Sequence, residues 1–188
     1  PAYNRPSWMQ LLQRINDLWH SQYDEVTAQA DQMTDHLKQA SQRLFATNVK
    51  APDKDMCRQI ADTLLKMADK EKGGFGNSPK FPGTMAISYL LEHYHFTKYE
   101  PALQQALRSL DAMIEGGIYD QIGGGFARYA TDREWLIPHF EKMLYDNALL
   151  IGTLCDAYAI TKNEKYKVIA EETIRFAERE LRDESGGY

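Results

Sequence analysis

Pairs of glycines followed by an aromatic residue recur along the sequence, and this repeat constrains the fold more than any other feature. It occurs at Gly73-Gly74-Phe75, Gly124-Gly125-Phe126 and Gly186-Gly187-Tyr188. The segments that follow also correspond, since Pro79-Lys80-Phe81 precedes one predicted helix as Pro138-His139-Phe140 precedes the next. Self-similarity at this spacing, a little longer than that of common solenoid units, predicts stacked helical hairpins. Their glycine loops are expected at the same end of the assembly.

Between the loops, apolar residues recur at steps of three and four, the spacing of one face of an α-helix. One such pattern starts at Pro6, with Ser7 available as a cap, and a second starts at Val26. We expect a bend between them, in the polar residues 21–24. Asp53 is predicted to cap the next helix. No stretch shows convincing alternation with period two, so the predicted fold class is all-α.

The last two predicted helices differ in how their apolar residues are distributed. The helix from about Pro138 to Ile160 is apolar around most of its axis in its last turns, which is typical of a helix buried on most sides. Its successor, from about Glu164 to Arg182, has one apolar stripe. A buried inner helix followed by an amphipathic outer helix indicates two concentric helical layers. Thr84 is the predicted cap of the preceding inner helix.

Composition and charge exclude two classes of function. The 188 residues are 43% hydrophobic and 26% charged, as in ordinary globular proteins. The formal net charge of −5 argues against a nucleic-acid partner, which needs a basic face. The sequence has no secretory signal and no apolar run near the ~20 residues that span a bilayer, so we predict a cytoplasmic protein without a membrane partner. Cys57 and Cys155 lack the Cys-x-x-Cys spacing and are expected to be buried free thiols.

The segment from Gly116 to Asp146 holds the densest group of polar and aromatic side chains. Gly116-Gly117 and Gly123-Gly124-Gly125 make its first half unsuitable for regular structure, because paired glycines lose much backbone entropy on ordering and allow positive φ. Loops with this chemistry beside a rigid element commonly carry function. The sequence therefore predicts a site here, without by itself specifying a reaction.

The strings GGFGNSPKFP and GGIYDQIGGGFARYATDREWLIPHFEKMLYDNALL, with the later Gly-Gly-Tyr, carry a resemblance to a known family. They resemble the thioredoxin-domain-containing family that includes spermatogenesis-associated protein 20 and its bacterial and archaeal relatives. The resemblance is continuous from about Gly73 to Tyr188. It implies an N-terminal thioredoxin-like domain followed by an (α/α) toroid, similar to six-hairpin glycosidases and to N-acylglucosamine 2-epimerases.

The resemblance implies a division of the chain into two parts. Residues 1–23 are expected to form a lead-in helix at the end of a thioredoxin-like domain, and residues 24–188 the N-terminal half of the toroid. The expected hairpins cover about 24–70, 84–114 and 139–182. A closed (α/α)6 toroid needs six hairpins and a thioredoxin active site needs a cysteine pair, so we expect a segment of a longer protein. The start at Pro1 without a methionine supports that expectation.

The cavity of such toroids lies at the N-terminal ends of the inner helices, where free N–H groups favour anionic or hydroxyl-rich ligands. His139, Met143 and Asp146 would share one face of the predicted helix. His139 is the predicted general acid or base, because its unperturbed pKa is near neutrality. Glu141 or Asp132 is the predicted catalytic carboxylate partner. For His139 the alternative is a hydrogen bond to the preceding loop. For Glu141 and Asp146 the alternative is a structural role, either ordering the glycine loops or pairing with Arg128 and Arg133.

A second group of side chains is predicted to bind the substrate. This group is Arg128, Tyr129, Trp135, Asp146, Lys80 and Phe81. Phe126, Tyr129 and Trp135 could stack on a sugar ring or pack the loop onto the core, and both interpretations stay open. Lys80 and Phe81, on the equivalent loop of the preceding hairpin, are expected to face the same cavity. No cofactor is implied. No metal site is predicted either, because His93 and His95 lie two residues apart on a helix and point in different directions.

Two functions are consistent with these observations. The first is a carbohydrate-active domain that performs acid/base chemistry, either glycoside hydrolysis or sugar epimerisation, and it rests on analogy of fold. The second is a non-catalytic module that binds a protein or peptide for an attached thioredoxin-like domain. An arc of three hairpins would expose apolar surface, so we also expect the chain to form a homo-oligomer.

Overall fold

The structure is a computed structural model that describes residues 6–44, 51 and 53–188. The chain divides into two compact units, Pro1–Ala51 and Pro52–Tyr188. Helices dominate both units, which confirms the all-α prediction. Within the described residues, no helix has the length and apolar character needed to cross a membrane.

The first unit contains helices α1 (Trp8–Ser21) and α2 (Tyr23–Leu44). Ser7 and Gln10 form a capping box at the start of α1, each side chain accepting a hydrogen bond from the other residue's backbone N–H. The chain bends at Gln22, as the polar stretch between the two apolar patterns predicts.

The second unit contains five helices: α3 (Lys54–Met67), α4 (Thr84–Thr97), α5 (Glu100–Glu115), α6 (Leu144–Thr161) and α7 (Glu164–Glu180). α4 packs against α5 and α6, and α6 packs against α7. Fully buried side chains fill the space between them, among them Ile87, Leu90, Leu110, Met113, Leu150 and Leu154. α4 with α5 and α6 with α7 therefore form two helical hairpins.

The turns within these two hairpins are equivalent in conformation as well as in sequence. Lys98 and Lys162 both have φ of 57°, and each backbone N–H donates to a tyrosine carbonyl four residues earlier at 2.8 Å. The ammonium groups lie over the rings of those tyrosines, 5.2 Å from the centre of Tyr94 and 5.8 Å from that of Tyr158. The repeat seen in the sequence thus corresponds to a repeated structural unit.

The predicted helix start at Pro138 and the predicted cap at Thr84 need correction. Helix α6 begins only at Leu144, because Pro138–His139 forms a short strand (β2) that pairs antiparallel with Tyr129–Ala130 (β1). The residues of β2 therefore hydrogen-bond to another strand instead of to a helical turn. Thr84 does not cap α4 either, since Gly83 occupies the cap position and no side chain caps the helix there.

The inner helix α6 is less covered than its apolar sequence predicts. Leu149 is 47% exposed, and Cys155 is exposed rather than buried, while Cys57 is half-buried. Both thiols are free, as expected. One side of α6 thus faces solvent although its residues are apolar.

Candidate functional site

A three-segment ribbon at the loop end of the second unit aligns three of the predicted site residues. β1 pairs with β2 so that Tyr129 stands opposite His139, and on its other side Ala130 exchanges two backbone hydrogen bonds with Lys80, at 2.8 and 2.9 Å. This antiparallel register places Phe81 opposite Tyr129. Directly opposed residues project from the same face of a ribbon. Phe81, Tyr129 and His139 consequently form a row.

The rings in this row contact one another. The centroids of Phe81 and Tyr129 are 4.9 Å apart, with 37° between the ring planes. Tyr129 and His139 are 4.7 Å apart and nearly parallel, at 18°. Phe81 is 49% exposed and the His139 side chain 42%, so the row forms an open aromatic surface that ends in an imidazole.

Glu141 lies beside the imidazole at the end of the row. Its Oε2 is 3.5 Å from Nδ1 of His139, longer than an ordinary hydrogen bond, and 3.2 Å from Nη1 of Arg128. Nδ1 is buried without a hydrogen-bond partner, although the ring as a whole is partly exposed. The exposed part of the ring is therefore the part away from Nδ1, where Nε2 can meet a ligand. Glu141 also raises the pKa of Arg128 by accepting its hydrogen bond.

Asp146 occupies the first turn of α6, close to the same arginine. Its Oδ2 atom is buried and has no hydrogen-bond partner. Burial raises the pKa of Asp146, and the charge of Arg128 offsets part of that rise. Buried carboxyl oxygens are normally hydrogen-bonded, so this one lacks the donor that its burial calls for.

The other face of the ribbon is structural, and Lys80 belongs to it. The Lys80 side chain is fully buried, and its Nζ donates to Oδ2 of Asp69 at 2.9 Å and to the Arg133 carbonyl at 3.0 Å. Arg133 adds a two-pronged contact to the same carboxylate, at 2.7 and 2.9 Å. These hydrogen bonds hold the pKa of Asp69 far below its usual range, and those from Arg133 have the largest effect. Lys80 thus joins the loops, and the prediction that it faces the cavity was wrong.

Trp135 also lies away from the open surface. It is completely buried, and its Nε1 donates to the Lys72 carbonyl at 2.9 Å. Of the two interpretations of this residue, packing of the loop onto the core is the one that the structure supports.

Asp132, predicted as a catalytic carboxylate, orders the loop that carries it. Its Oδ1 accepts from the backbone N–H of Glu134 at 2.7 Å and of Leu136 at 3.1 Å, and Oδ2 accepts from that of Ile137. Burial by itself would raise the pKa of Asp132, but these N–H donors lower it below the ordinary value. A carboxylate with its lone pairs committed in this way has little capacity for proton transfer.

Two polar residues that the sequence analysis did not select hold the glycine loop in place. Asn147 is fully buried, and its side chain both accepts from and donates to the backbone of Phe126, at 2.7 and 3.0 Å. Asp120 binds Lys142 at 2.7 Å, and hydrogen bonds from Gly123, Lys142 and Ile122 lower the pKa of Asp120 to about 2. An asparagine in the first turn of an apolar helix is the sequence signal that could have identified the contact between Asn147 and the Phe126 backbone.

The arrangement combines an aromatic surface with groups that can exchange protons. A partly exposed imidazole beside a carboxylate is a common composition of a general acid/base. In the part of the chain that the structure describes, no three His, Cys, Asp or Glu side chains are grouped as metal ligands. The site that remains consists of Phe81, Arg128, Tyr129, His139, Glu141 and Asp146.

Solved structures with similar folds define the class of this domain. A sugar epimerase from a ruminal bacterium is 19% identical, with a TM-score of 0.62 over 71% of this chain and 38% of that one. The cellobiose 2-epimerase of Bacillus thermoamylovorans is 19% identical, with a TM-score of 0.61 over 70% and 38%. The GH76 α-mannanase of Bacteroides thetaiotaomicron is 19% identical, with a TM-score of 0.56 over 65% and 37%. The helical hairpins are therefore part of an (α/α) toroid of the kind found in sugar epimerases and six-hairpin glycosidases.

Sequence comparison then identifies the family. Spermatogenesis-associated protein 20 of Rattus norvegicus is 35% identical over 189 residues, and that of Homo sapiens is 33% identical over 192 residues. Each alignment covers 98% of this chain and 24% of the relative, so the chain spans about a quarter of the length of these relatives. No family model matches the sequence. The chain belongs to the family of spermatogenesis-associated protein 20.

Proposed function

We propose that the second unit binds and processes a carbohydrate, with His139 as the proton-transfer group and Glu141 as the residue that orients it. The observation that carries this proposal is the row of Phe81, Tyr129 and His139, in which an exposed aromatic surface leads directly to an imidazole. Aromatic rings offer large apolar contact areas, which suit the C–H face of a sugar. The likeness to sugar epimerases and to a mannanase supports the same substrate class by analogy of fold.

Among sugar reactions, proton transfer at carbon fits the composition of the site best. In the open-chain form of a sugar, the carbon next to the carbonyl carries an acidic hydrogen. Nε2 of His139 would take that proton and leave an enediolate. Return of the proton to the opposite face of the same carbon, after the enediolate turns over, would give the epimer. Delivery of the proton to the former carbonyl carbon, with transfer of the neighbouring hydroxyl proton to the former carbonyl oxygen, would give the isomer. Glu141, 3.5 Å from Nδ1, would stabilise the imidazolium that exists between the two transfers.

Glycoside hydrolysis is the second reaction that the site could support. It requires two carboxyl groups on either side of the glycosidic bond. Asp132 is committed to loop N–H groups, which leaves Glu141 and Asp146 as the candidate pair. The His139–Glu141 contact favours proton transfer at carbon over this alternative.

Deuterium exchange tests the proposal directly. The chain is incubated with a panel of aldoses and ketoses in D2O, and exchange at the carbon next to the carbonyl is followed by NMR. We expect exchange with at least one sugar, its loss in His139→Gln, and wild-type exchange in His95→Gln, an exposed histidine of α4 that serves as the matched control.

The outcomes of this test separate the two functional classes. Sugar-dependent thermal stabilisation without exchange, accompanied by release of reducing ends from oligosaccharides, would favour hydrolysis. Neither exchange, hydrolysis nor stabilisation with any sugar would contradict the proposal. The toroid would then be better explained as a non-catalytic module that binds a protein or peptide for an attached thioredoxin-like domain, and capture of peptide ligands would be the next measurement.

A further inference from the structure

The charges around the site restrict which kind of carbohydrate it can take. We propose that the ligand, if the site binds a sugar as argued above, is a neutral polyhydroxylated sugar rather than a sugar phosphate or a sugar acid. We further propose that one of its hydroxyl groups donates a hydrogen bond to Oδ2 of Asp146. This inference rests on the proposed function and concerns the selectivity of the same site.

The cations of the surrounding loops already have carboxylate partners. Arg128 pairs with Glu141 at 3.2 Å and Lys142 with Asp120 at 2.7 Å. Lys80 and Arg133 share Asp69, at 2.9 and 2.7 Å. A phosphate or carboxylate on the ligand would therefore have to compete with a carboxylate of the chain for each of these four cations.

Acceptors, by contrast, are in excess at the site. Oδ2 of Asp146 is buried without a partner. The Glu141 side chain, which pairs with the same Arg128 that Asp146 influences, is 49% exposed. A buried acceptor without a donor costs free energy until a donor arrives. Hydroxyl groups supply such donors, whereas ionised phosphate and carboxylate groups supply more acceptors.

The N-terminus of α6 does not make the site more favourable to an anionic ligand. The free N–H groups of a helix N-terminus attract anions. At α6 the chain itself supplies the anion, because Asp146 is in the first turn. An anionic ligand would meet that carboxyl group together with Glu141, and the like charges would oppose its binding.

Matched sets of ligands test the inference. Glucose is compared with glucuronate and glucose 6-phosphate, and mannose with mannuronate and mannose 6-phosphate, by saturation-transfer NMR titration of the whole chain. We expect the neutral member of at least one set to bind about tenfold more tightly than its charged forms, the factor that corresponds to one charged-group hydrogen bond. Asp146→Asn should weaken that binding by a similar factor, whereas Asp156→Asn, an exposed change of the same charge on α6, should not.

Each contrary result has a separate meaning. Equal or tighter binding of a phosphate or acid form overturns the selectivity and leaves the proposed sugar site intact. Unchanged binding in Asp146→Asn overturns the contact with Oδ2. If no member of any set binds to the wild-type chain, both the selectivity and the carbohydrate function are rejected together.

Discussion

The imidazole of His139 lies flat against the ring of Tyr129, with 4.7 Å between the centroids and 18° between the planes. The two residues are opposed in the β1–β2 register, so the backbone pairing fixes the distance between them. One face of the imidazole is covered by Tyr129, and Nδ1 is turned toward Glu141. The ring is thus held with its remaining edge toward the open surface.

Removal of the Tyr129 ring should impair both stacking and proton transfer. Tyr129→Ala should lower sugar affinity by about two- to tenfold, since an aromatic contact contributes roughly 0.5–1.5 kcal/mol beyond its buried area. Tyr129→Phe keeps the ring and serves as the control. Affinity and exchange rate would be measured by NMR for both variants. Wild-type values in Tyr129→Ala would show that the stack has no role in the site.

Asp146 should make the free protein less stable as the pH rises. Because burial raises its pKa in the folded state, the folded chain holds the proton more tightly than the unfolded chain. The contribution of Asp146 to stability is therefore fully present below its pKa in the unfolded chain, about 4. This contribution is lost as the pH rises through its pKa in the folded chain. Asp146→Asn should melt at a higher temperature than wild type at pH 7, and the difference should shrink toward pH 4. A variant that is less stable at pH 7 would contradict this account of the buried carboxyl group.

Local sequence patterns predicted the helices well, but they did not predict the strand pairing that arranges the candidate site residues. Ser7 and Asp53 cap helices as their residue types indicate. His139 was assigned to a helix because Pro138 to Asp146 has helical spacing. Its backbone instead pairs with β1, a contact that helical periodicity does not reveal.

The burial of Lys80 shows a second limit of sequence reasoning. The charge of a lysine predicts exposure, but Asp69 and Arg133 surround this one from 11 positions before it and 53 positions after it. Whether a charged residue is buried in a pair depends on such distant partners. The same register that buries Lys80 brings Phe81 to Tyr129, so neither fact follows from composition or spacing.

The Asp69 carboxylate should contribute strongly to stability. Asp69→Asn would leave Lys80 buried with no full negative charge beside it, and the loss of one partner from a buried ion pair costs about 3–5 kcal/mol. Glu71→Gln removes an exposed carboxylate that also contacts Arg133, and this change should cost less than about 1 kcal/mol. Urea unfolding of the two variants gives the comparison, and similar midpoints would show that the buried pair is not a major contribution.

Replacement of two glycines by alanine should change the stability of the protein in opposite directions. Gly125 has φ of +79°, and a Cβ there would lie 2.4 Å from the ring of Phe176, so Gly125→Ala combines backbone strain with a clash. We expect a loss of about 1–3 kcal/mol. Gly152 lies within α6 with nothing within 4 Å of its Cβ position, and Gly152→Ala should stabilise the helix by roughly 0.5–1 kcal/mol. Thermal unfolding of both variants measures the contrast, and a stable Gly125→Ala would show that this loop can rearrange.

Exposed apolar side chains on helices α4, α6 and α7 should drive self-association. Leu149 on α6 is 47% exposed and Ile174 on α7 is 43% exposed, while Met85 and Phe96 on α4 are more than 70% exposed. Exposed apolar surface favours association, because water is released from both partners. We therefore expect a homodimer or larger oligomer at micromolar concentration in sedimentation velocity. Leu149→Glu should shift the equilibrium toward monomer, and Glu171→Gln, an exposed change on α7, should leave it unchanged. A monodisperse wild-type monomer would show that these apolar faces do not bind one another.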